Sequence, residues 1–476
     1  MGSHNIKIQY HSRVSPPSAT QTSLSLTFFD LFWLRFHPVE RIFFYTLPTP
    51  QSNPSIFYSK IVPKLKTSLS HTLQHFPPLA GNVVWPNDSP NPIVQYTPGN
   101  SVSFVVAESE ADFNHVLDNS PHQASEGFSI GISTHHSVLD GKSSTLFIKA
   151  WSSLCQTNDD ESSESSSPSL APKLVPFFNR SVIRTPRELG LNFPTNWTEA
   201  LTKLFPTGNS DGRCLKLLPF PPRLEDEVRA RFVLTGADLE KLRKGVLSKW
   251  DIVERGTESE APRLSSFVLT CAYAVVCIAK AIHGVEKEKE KFAFAFTVDC
   301  RARLEPPIPE NYFGNCVWGN LVDADPLDFI KEEAFGIVAK SIHSKIKEML
   351  DKGIFHGADS SFSKYESMAK EKVEVFAIAG SNRFGVYGTD FGWGKPAKVE
   401  ITSVGRGLTI GLAESKDGNG GVEVGLVLKK NVMDLFATLF RRGVSDEYPL
   451  PIPQLEDTDE FTTTKIIGVI IDGGQL

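Results

Sequence analysis

Glu126-Gly127-Phe128-Ser129-Ile130-Gly131-Ile132-Ser133-Thr134-His135-His136-Ser137-Val138-Leu139-Asp140-Gly141 changes its hydrophobic period part-way along. Phe128, Ile130 and Ile132 alternate with small residues, the period of two that marks a strand with one buried face. Beyond Gly141 the apolar positions become Leu146, Ala150, Trp151 and Leu154, a helical spacing. The order is therefore strand, tight loop, helix, with His136 at the junction. An imidazole with an ordinary pKa of about 6.5 can take a proton at neutral pH, so His136 is a candidate general base. Asp140 can bond the idle ring nitrogen, or it can form an ion pair elsewhere that fixes the loop. By itself this spacing is also what a satisfied histidine in a turn would show.

Around this stretch lies a chain of 476 residues, too long for one ordinary core, and two domains are expected. A net charge of −6 without a basic stripe argues against nucleic acid as a partner. With 33 Phe, 7 Trp and 9 Tyr there is enough apolar surface to offset the entropy of ordering, so the bulk of the chain is globular. The N-terminal residues are polar, and the longest apolar run, Phe267 to Ala279, reads as a buried helix rather than a membrane span. Six scattered cysteines without a C-x-x-C pair fit reduced, buried thiols, and a cytoplasmic location is expected. His71 and His75 have helical ligand spacing, but no third ligand lies nearby, so no metal is expected.

Other segments fill in a mixed α/β pattern. Ile61, Leu65, Leu69 and Leu73 predict an amphipathic helix that Pro77-Pro78 ends. Phe292, Phe294 and Phe296 predict a strand, as do Arg383 to Tyr387 and Val399 to Ile401. Leu408 to Ser415 and Val422 to Lys430 flank Asp417-Gly418-Asn419-Gly420-Gly421 as a hairpin. The polar run from Gln156 to Leu170 predicts a solvated loop at the start of a crossover between domains. Asp390-Phe391-Gly392-Trp393-Gly394-Lys395-Pro396 is a second candidate constellation, in which two glycines permit unusual backbone angles around an aromatic pair. Gly141-Lys142-Ser143 is no phosphate loop, since the required upstream glycine is His136, and no G-x-S-x-G elbow or dinucleotide fingerprint occurs.

His-x-x-x-Asp followed by Asp-Phe-Gly-Trp-Gly, in this order and separation, resembles the plant BAHD acyltransferases. Leu26-Thr27-Phe28-Phe29-Asp30, Tyr312-Phe313-Gly314-Asn315-Cys316 and Phe384-Gly385-Val386-Tyr387 extend the similarity from about residue 20 to 443. The cysteine-bearing block looks like that of the clade acylating anthocyanin and other phenolic glycosides from malonyl-CoA. The resemblance implies two chloramphenicol-acetyltransferase-like domains, each a mixed sheet with flanking helices, around a central solvent channel. It divides the chain into residues 1–154 with part of 380–400, a crossover at 155–230, a second domain at 231–443, and an atypical tail at 444–476. It implies an acyl-CoA-dependent O-acyltransferase, with malonyl-CoA as a co-substrate rather than a bound cofactor, and a phenolic glycoside as acceptor. A monomer is usual in the family.

The catalytic set so implied is His136, Asp140 and Asp390, of which only His136 is given chemistry. Asp140 would pair with Arg301 or Arg303, and Asp390 would be mainly structural. Ser265, Ser266, Trp393 and Gly394 would border coenzyme A, while Arg180 would bind the free malonyl carboxylate, for which a guanidinium fork is suited. The alternatives are an aromatic acyl-CoA donor, or an inactive paralogue.

Two departures from the family pattern stand out. Relatives carry a few tens of residues more before Gly127, including a strand that pairs with the one leading to His136, so here that strand is expected to lose a partner and expose an edge. The tail from Ser445 contains Ile466-Ile467-Gly468-Val469-Ile470-Ile471, apolar and β-prone, which would dock or aggregate. Together these are what an unusual splice product would leave.

Overall fold

The computed structural model describes residues 6–47, 53–117, 126–157, 169–186, 214–219, 226–250, 262–405, 407–444 and 466–473, with single positions at 189, 197 and 199. The strands are β1 (Ile6–Val14), β2 (Thr22–Ser25), β3 (Val39–Leu47), β4 (Asn82–Val84), β5 (Ile93–Tyr96), β6 (Val102–Ser109), β7 (Glu126–Thr134), β8 (Glu227–Leu234), β9 (Phe292–Asp299), β10 (Val317–Leu321), β11 (Glu374–Ser381), β12 (Lys398–Ile401), β13 (Thr409–Glu414), β14 (Val422–Lys429) and β15 (Ile466–Gly473). They form two six-stranded sheets, β1-β6-β15-β7-β3-β12 and β10-β9-β11-β13-β14-β8, and a small sheet β2-β5-β4.

The first sheet packs its buried face against the helices Val62–His75 and Gly141–Thr157. Phe128 and Ile130 are fully buried there beside Phe43, Leu65, Leu69 and Trp151, as the alternation along β7 and the four-residue step along the helix require. In the second sheet β9, β11 and β13 run parallel, and β14 and β8 close it antiparallel. Behind it lies the helix Ser266–Val285, twenty residues long and apolar enough to cross a membrane by length and composition, but 78% buried in the protein's own core. Cys271 and Cys277 on it, and the four other cysteines, are buried and form no disulfide.

Several expectations need correction. Arg383 to Tyr387 is not a strand: Gly385 takes a left-handed φ of 64°, and the chain makes a turn and a short helical turn, Val386–Gly388. The second sheet takes in β8 from Glu227, ahead of the boundary drawn at 231. Most of the loop expected at Gln156 to Leu170 lies outside the described residues, although 156 and 157 finish a helix.

The largest correction concerns the edge beside His136. β7 pairs antiparallel with β3 on one side, and on the other it pairs parallel with β15, from Ile467↔Phe128 to Gly473↔Thr134. The same β15 pairs antiparallel with β6, from Ile466↔Ser109 to Asp472↔Ser103. No edge is exposed at β7, because the tail that looked atypical occupies the position of the missing strand. β12, also distant in sequence, covers the other side of β3.

Candidate active site

β7 delivers His135 and His136 into a tight turn closed by Val138 N–H donating to the His135 carbonyl at 3.0 Å, and the helix Gly141–Thr157 follows at once. His135 is buried, and its Nδ1 meets the Ser137 hydroxyl at 2.8 Å. His136 is half-buried. Its ring stacks on Trp33 at 4.1 Å between centroids and 4° between planes. Its Nδ1 is buried without a hydrogen-bond partner among the described residues. Burial lowers the His136 pKa to about 4, against partial opposition from Asp140. Burial, with repulsion from His136, does the same to His135. At neutral pH the His136 ring is therefore uncharged.

Asp140 takes the second of its two possible roles. Its Oδ1 accepts from Ser143 N–H at 2.8 Å, capping the helix N-terminus, and its Oδ2 accepts from Cys316 N–H at 3.0 Å. The same Oδ2 lies 2.9 Å from Arg301 Nη2. Arg301 is fully buried, also pairs with Asp299 at 2.9 Å, and donates to the Tyr312 and Gly314 carbonyls. Burial alone would lower the Arg301 pKa, but Asp140 and Asp299 outweigh it and hold the guanidinium charged. Arg303 instead donates to the Asp299 carbonyl. Asp140 thus joins the two halves of the molecule, through Arg301, rather than the imidazole.

Asn315 is the second joint. Its backbone N–H and Nδ2 donate to Asp30 Oδ1 at 2.9 and 3.1 Å, and Nδ2 also donates to the His136 carbonyl at 2.8 Å. Asp30 is fully buried, and its Oδ2 caps Thr27 through the backbone and the hydroxyl. Trp33, Asp30 and Asn315 were not singled out as site residues from the sequence. A signal did exist: Thr27-x-x-Asp30 is a capping box, and Asp30 and Trp33 sit three residues apart on one helical turn.

Asp390 faces its own loop. Oδ1 accepts from Gly392 N–H at 2.7 Å and Gly394 N–H at 3.0 Å, both glycines having positive φ, 102° and 94°. Phe391 is buried in the first core beside Trp151, and Trp393 packs edge-on against Phe128 with Lys64 Nζ 5.2 Å from its ring centre. Gln156 Nε2 donates to the Asp390 carbonyl at 2.6 Å, which ties the loop to the helix that starts at Gly141. Asp390, Trp393 and Gly394 are therefore engaged in shaping this loop. Ser265 caps the helix Ser266–Val285 by accepting from Val268 N–H at 3.3 Å, and the Ser266 hydroxyl accepts from Asn382 Nδ2 at 3.1 Å.

Arg180 lies against the segment that holds Asn315. Its Nη1 donates to the Tyr312 hydroxyl at 2.5 Å and the Phe313 carbonyl at 2.8 Å. Gly314, at φ 150°, must lack a side chain, because a Cβ there would come within 1.9 Å of that guanidinium. Nε is buried without a partner among the described residues. Burial pulls the Arg180 pKa down, yet Asp30 and Tyr312 more than offset it and the group stays charged. Among the described residues no cluster of His, Cys, Asp and Glu could hold a metal ion.

The sequence model of the Transferase family matches residues 5–128 and 216–441. The chain belongs to that family, the BAHD acyltransferases. His136 and Arg180 fall between the two matched stretches. Phenolic glucoside malonyltransferase 1 of Arabidopsis thaliana is 37% identical over 476 aligned residues, covering 93% of this chain and 98% of that relative. The malonyl-CoA:anthocyanidin 5-O-glucoside-6''-O-malonyltransferase of Arabidopsis thaliana is 34% identical, over 91% of this chain and 97% of that one. Among solved structures, vinorine synthase superposes with a TM-score of 0.60 at 20% identity, over 90% of this chain and 96% of that one. The Fusarium sporotrichioides TRI101 complex with coenzyme A and T-2 superposes with 0.54 at 14% identity, over 88% and 97%. These two share the BAHD acyltransferase fold, which is mixed α/β with several sheets and no closed barrel.

Proposed function

We propose that this BAHD acyltransferase moves the malonyl group of malonyl-CoA to a sugar hydroxyl of a phenolic or flavonoid glucoside, with His136 as general base. The observation that carries the proposal is the His136 ring itself: uncharged at neutral pH, half-buried, stacked on Trp33 and delivered by the end of β7 into the turn before the helix Gly141–Thr157. Nε2 accepts the hydroxyl proton as the sugar oxygen attacks the thioester carbonyl carbon. The tetrahedral intermediate collapses with cleavage of the C–S bond, and the coenzyme A thiolate takes the proton back from the imidazolium. Base assistance of this kind supplies roughly 10² to 10⁴ in rate, and the rest comes from holding both substrates in attack geometry. We take Ser265, Ser266, Trp393 and Gly394 to border the coenzyme, as the family resemblance implies.

Arg180 supports the malonyl donor over an aromatic one. Its charged fork lies against the segment that carries Asn315, and a guanidinium is suited to a carboxylate. The relatives named for malonyl transfer to phenolic and anthocyanidin glucosides support the same donor and acceptor class. Six buried cysteines outside any disulfide fit a reducing cytoplasm, and we take the enzyme to work there as a monomer, without membrane or nucleic acid.

Incubation of the purified protein with malonyl-CoA and a phenolic glucoside, read by mass spectrometry, should yield the malonylated glucoside. His136→Ala should cut the turnover number by roughly 10² or more; absence of product from the parent protein, or undiminished activity in the variant, overturns the proposal. Arg180→Ala should harm malonyl transfer more than acetyl transfer, and an equal loss removes its carboxylate role.

A further inference from the structure

β6 and β7 are not paired with each other. Each pairs outward, with β1 and β3 respectively, and inward only with β15. Adjacent strands lie about 4.8 Å apart, so β6 and β7 flank a slot one strand wide, and without an occupant both would leave a row of backbone N–H and C=O groups unpaired inside a sheet. The occupant, Ile466-Ile467-Gly468-Val469-Ile470-Ile471-Asp472-Gly473, comes from the far end of the chain and is rich in β-branched residues, the residue class that fits a pleated, buried surface. The pairing with β7 runs through Gly473↔Thr134, and Thr134 is the residue before His135. On its other side Thr134 is paired with Val39. The end of β7 is therefore clamped from both sides immediately before the catalytic turn.

We infer that the C-terminal segment 466–473 is a positioning strand for His136, inserted by a chain into its own first sheet. Its tether, residues 445–465, reaches up to roughly 70 Å when extended, so a chain can fill its own slot. The strand does no chemistry. Its work is to fix the last residues of β7, and through them the height at which the His136 ring meets the thioester and the hydroxyl. The pairing stands on the ladder geometry alone, whereas the effect on turnover rests on the acyl-transfer reading above.

Two full-length variants test this. In Ser103→Cys with Asp472→Cys the altered residues face each other across the antiparallel β6–β15 pair, where the Cα separation of about 4.5–5.5 Å suits a disulfide. Mild oxidation should give a disulfide within one chain, seen as an unchanged mass on a non-reducing gel and a cross-linked peptide by mass spectrometry. A disulfide-linked dimer would show that a second copy supplies the strand, and no cross-link would show that the slot is not filled by this segment; either result overturns the inference. In Val469→Pro the ladder is broken in mid-strand. Turnover should fall by roughly 10²-fold with the KM for malonyl-CoA within about threefold, because a displacement near 1 Å of the base costs rate rather than donor binding. Val469→Thr, which keeps the ladder and the branched side chain, should restore most of the turnover. If Val469→Pro does not fold, turnover of the oxidised cross-linked variant, expected to match the parent protein, decides the point, and a large loss there counts against the inference. Should the parent protein transfer no acyl group at all, the proposed function fails while the cross-link still decides the strand.

Discussion

The two six-stranded sheets are built by different routes. The second takes all its strands from residues 227–429 and folds them around one continuous helix, Ser266–Val285, of which the stretch Val268–Ala279 is buried throughout. The first takes β1, β3, β6 and β7 from the first 134 residues, β12 from the second half and β15 from the tail. The sheet that carries His136 is thus the one whose strands come from furthest apart in sequence, and its catalytic turn is held by groups that only meet when the whole chain is folded. Asp140 with Arg301, and Asn315 with Asp30 and the His136 carbonyl, cross between the halves in the same way. The second sheet is a scaffold that is nearly self-sufficient, while the first depends on contributions from everywhere else.

The largest expected effect comes from cutting the joint. Arg301→Ala leaves the Asp140 carboxylate buried and unpaired, and stability should drop by about 3–5 kcal/mol, measured as a shift in the denaturant midpoint. Asp140→Ala combined with Arg301→Ala should be less destabilised than the sum of the two single variants; strict additivity would mean that the pair is not coupled. A core truncation in the second sheet's helix sharpens the contrast. Ile278→Ala should cost about 2–5 kcal/mol while leaving the pH dependence of transfer unaltered, since no group at His136 is touched.

A smaller effect concerns acid. His135 and His136 have pKa values of about 4 in the folded protein and about 6.5 when unfolded. Between those values the unfolded chain binds more protons, so the stability these groups confer is present above about pH 6.5 and is lost as pH falls toward 4. The rate should show its acid limb near pH 4 to 5 and a plateau through neutrality, read from kcat/KM at graded pH. A limb centred at 6.5 would mean that the ring is not desolvated. The smallest effect is expected at the Asp390 loop. Asp390→Asn keeps an oxygen acceptor for Gly392 and Gly394 and should hold turnover within a few-fold, whereas a loss of roughly 10² or more would restore a chemical role for the carboxylate.

Much of this was legible in the order of residues. The alternation along β7, the four-residue step in the helix Val62–His75, the hairpin of β13 and β14, and the placement of His136 between strand and helix are local patterns, and short-range sterics and burial decide them. Trp33 was not legible, because stacking on an imidazole a hundred residues away leaves no local trace. Nor was the duty of Asp140: whether a carboxylate turns to a ring nitrogen or to a buried guanidinium depends on which groups the other half brings within 3 Å. Arg383 to Tyr387 shows the reverse error, where a short run suggested a strand and Gly385 turned it.

Residue order by itself determined a family, a histidine at the end of a strand, and a tail suited to pairing. Only the tertiary structure decided where that tail goes. A period of two tells which face of a strand is buried but says nothing of which strand lies beside it, because the backbone groups that pair are the same in every residue. The choice among neighbours was made by the slot between β6 and β7, which exists only once both strands are in place.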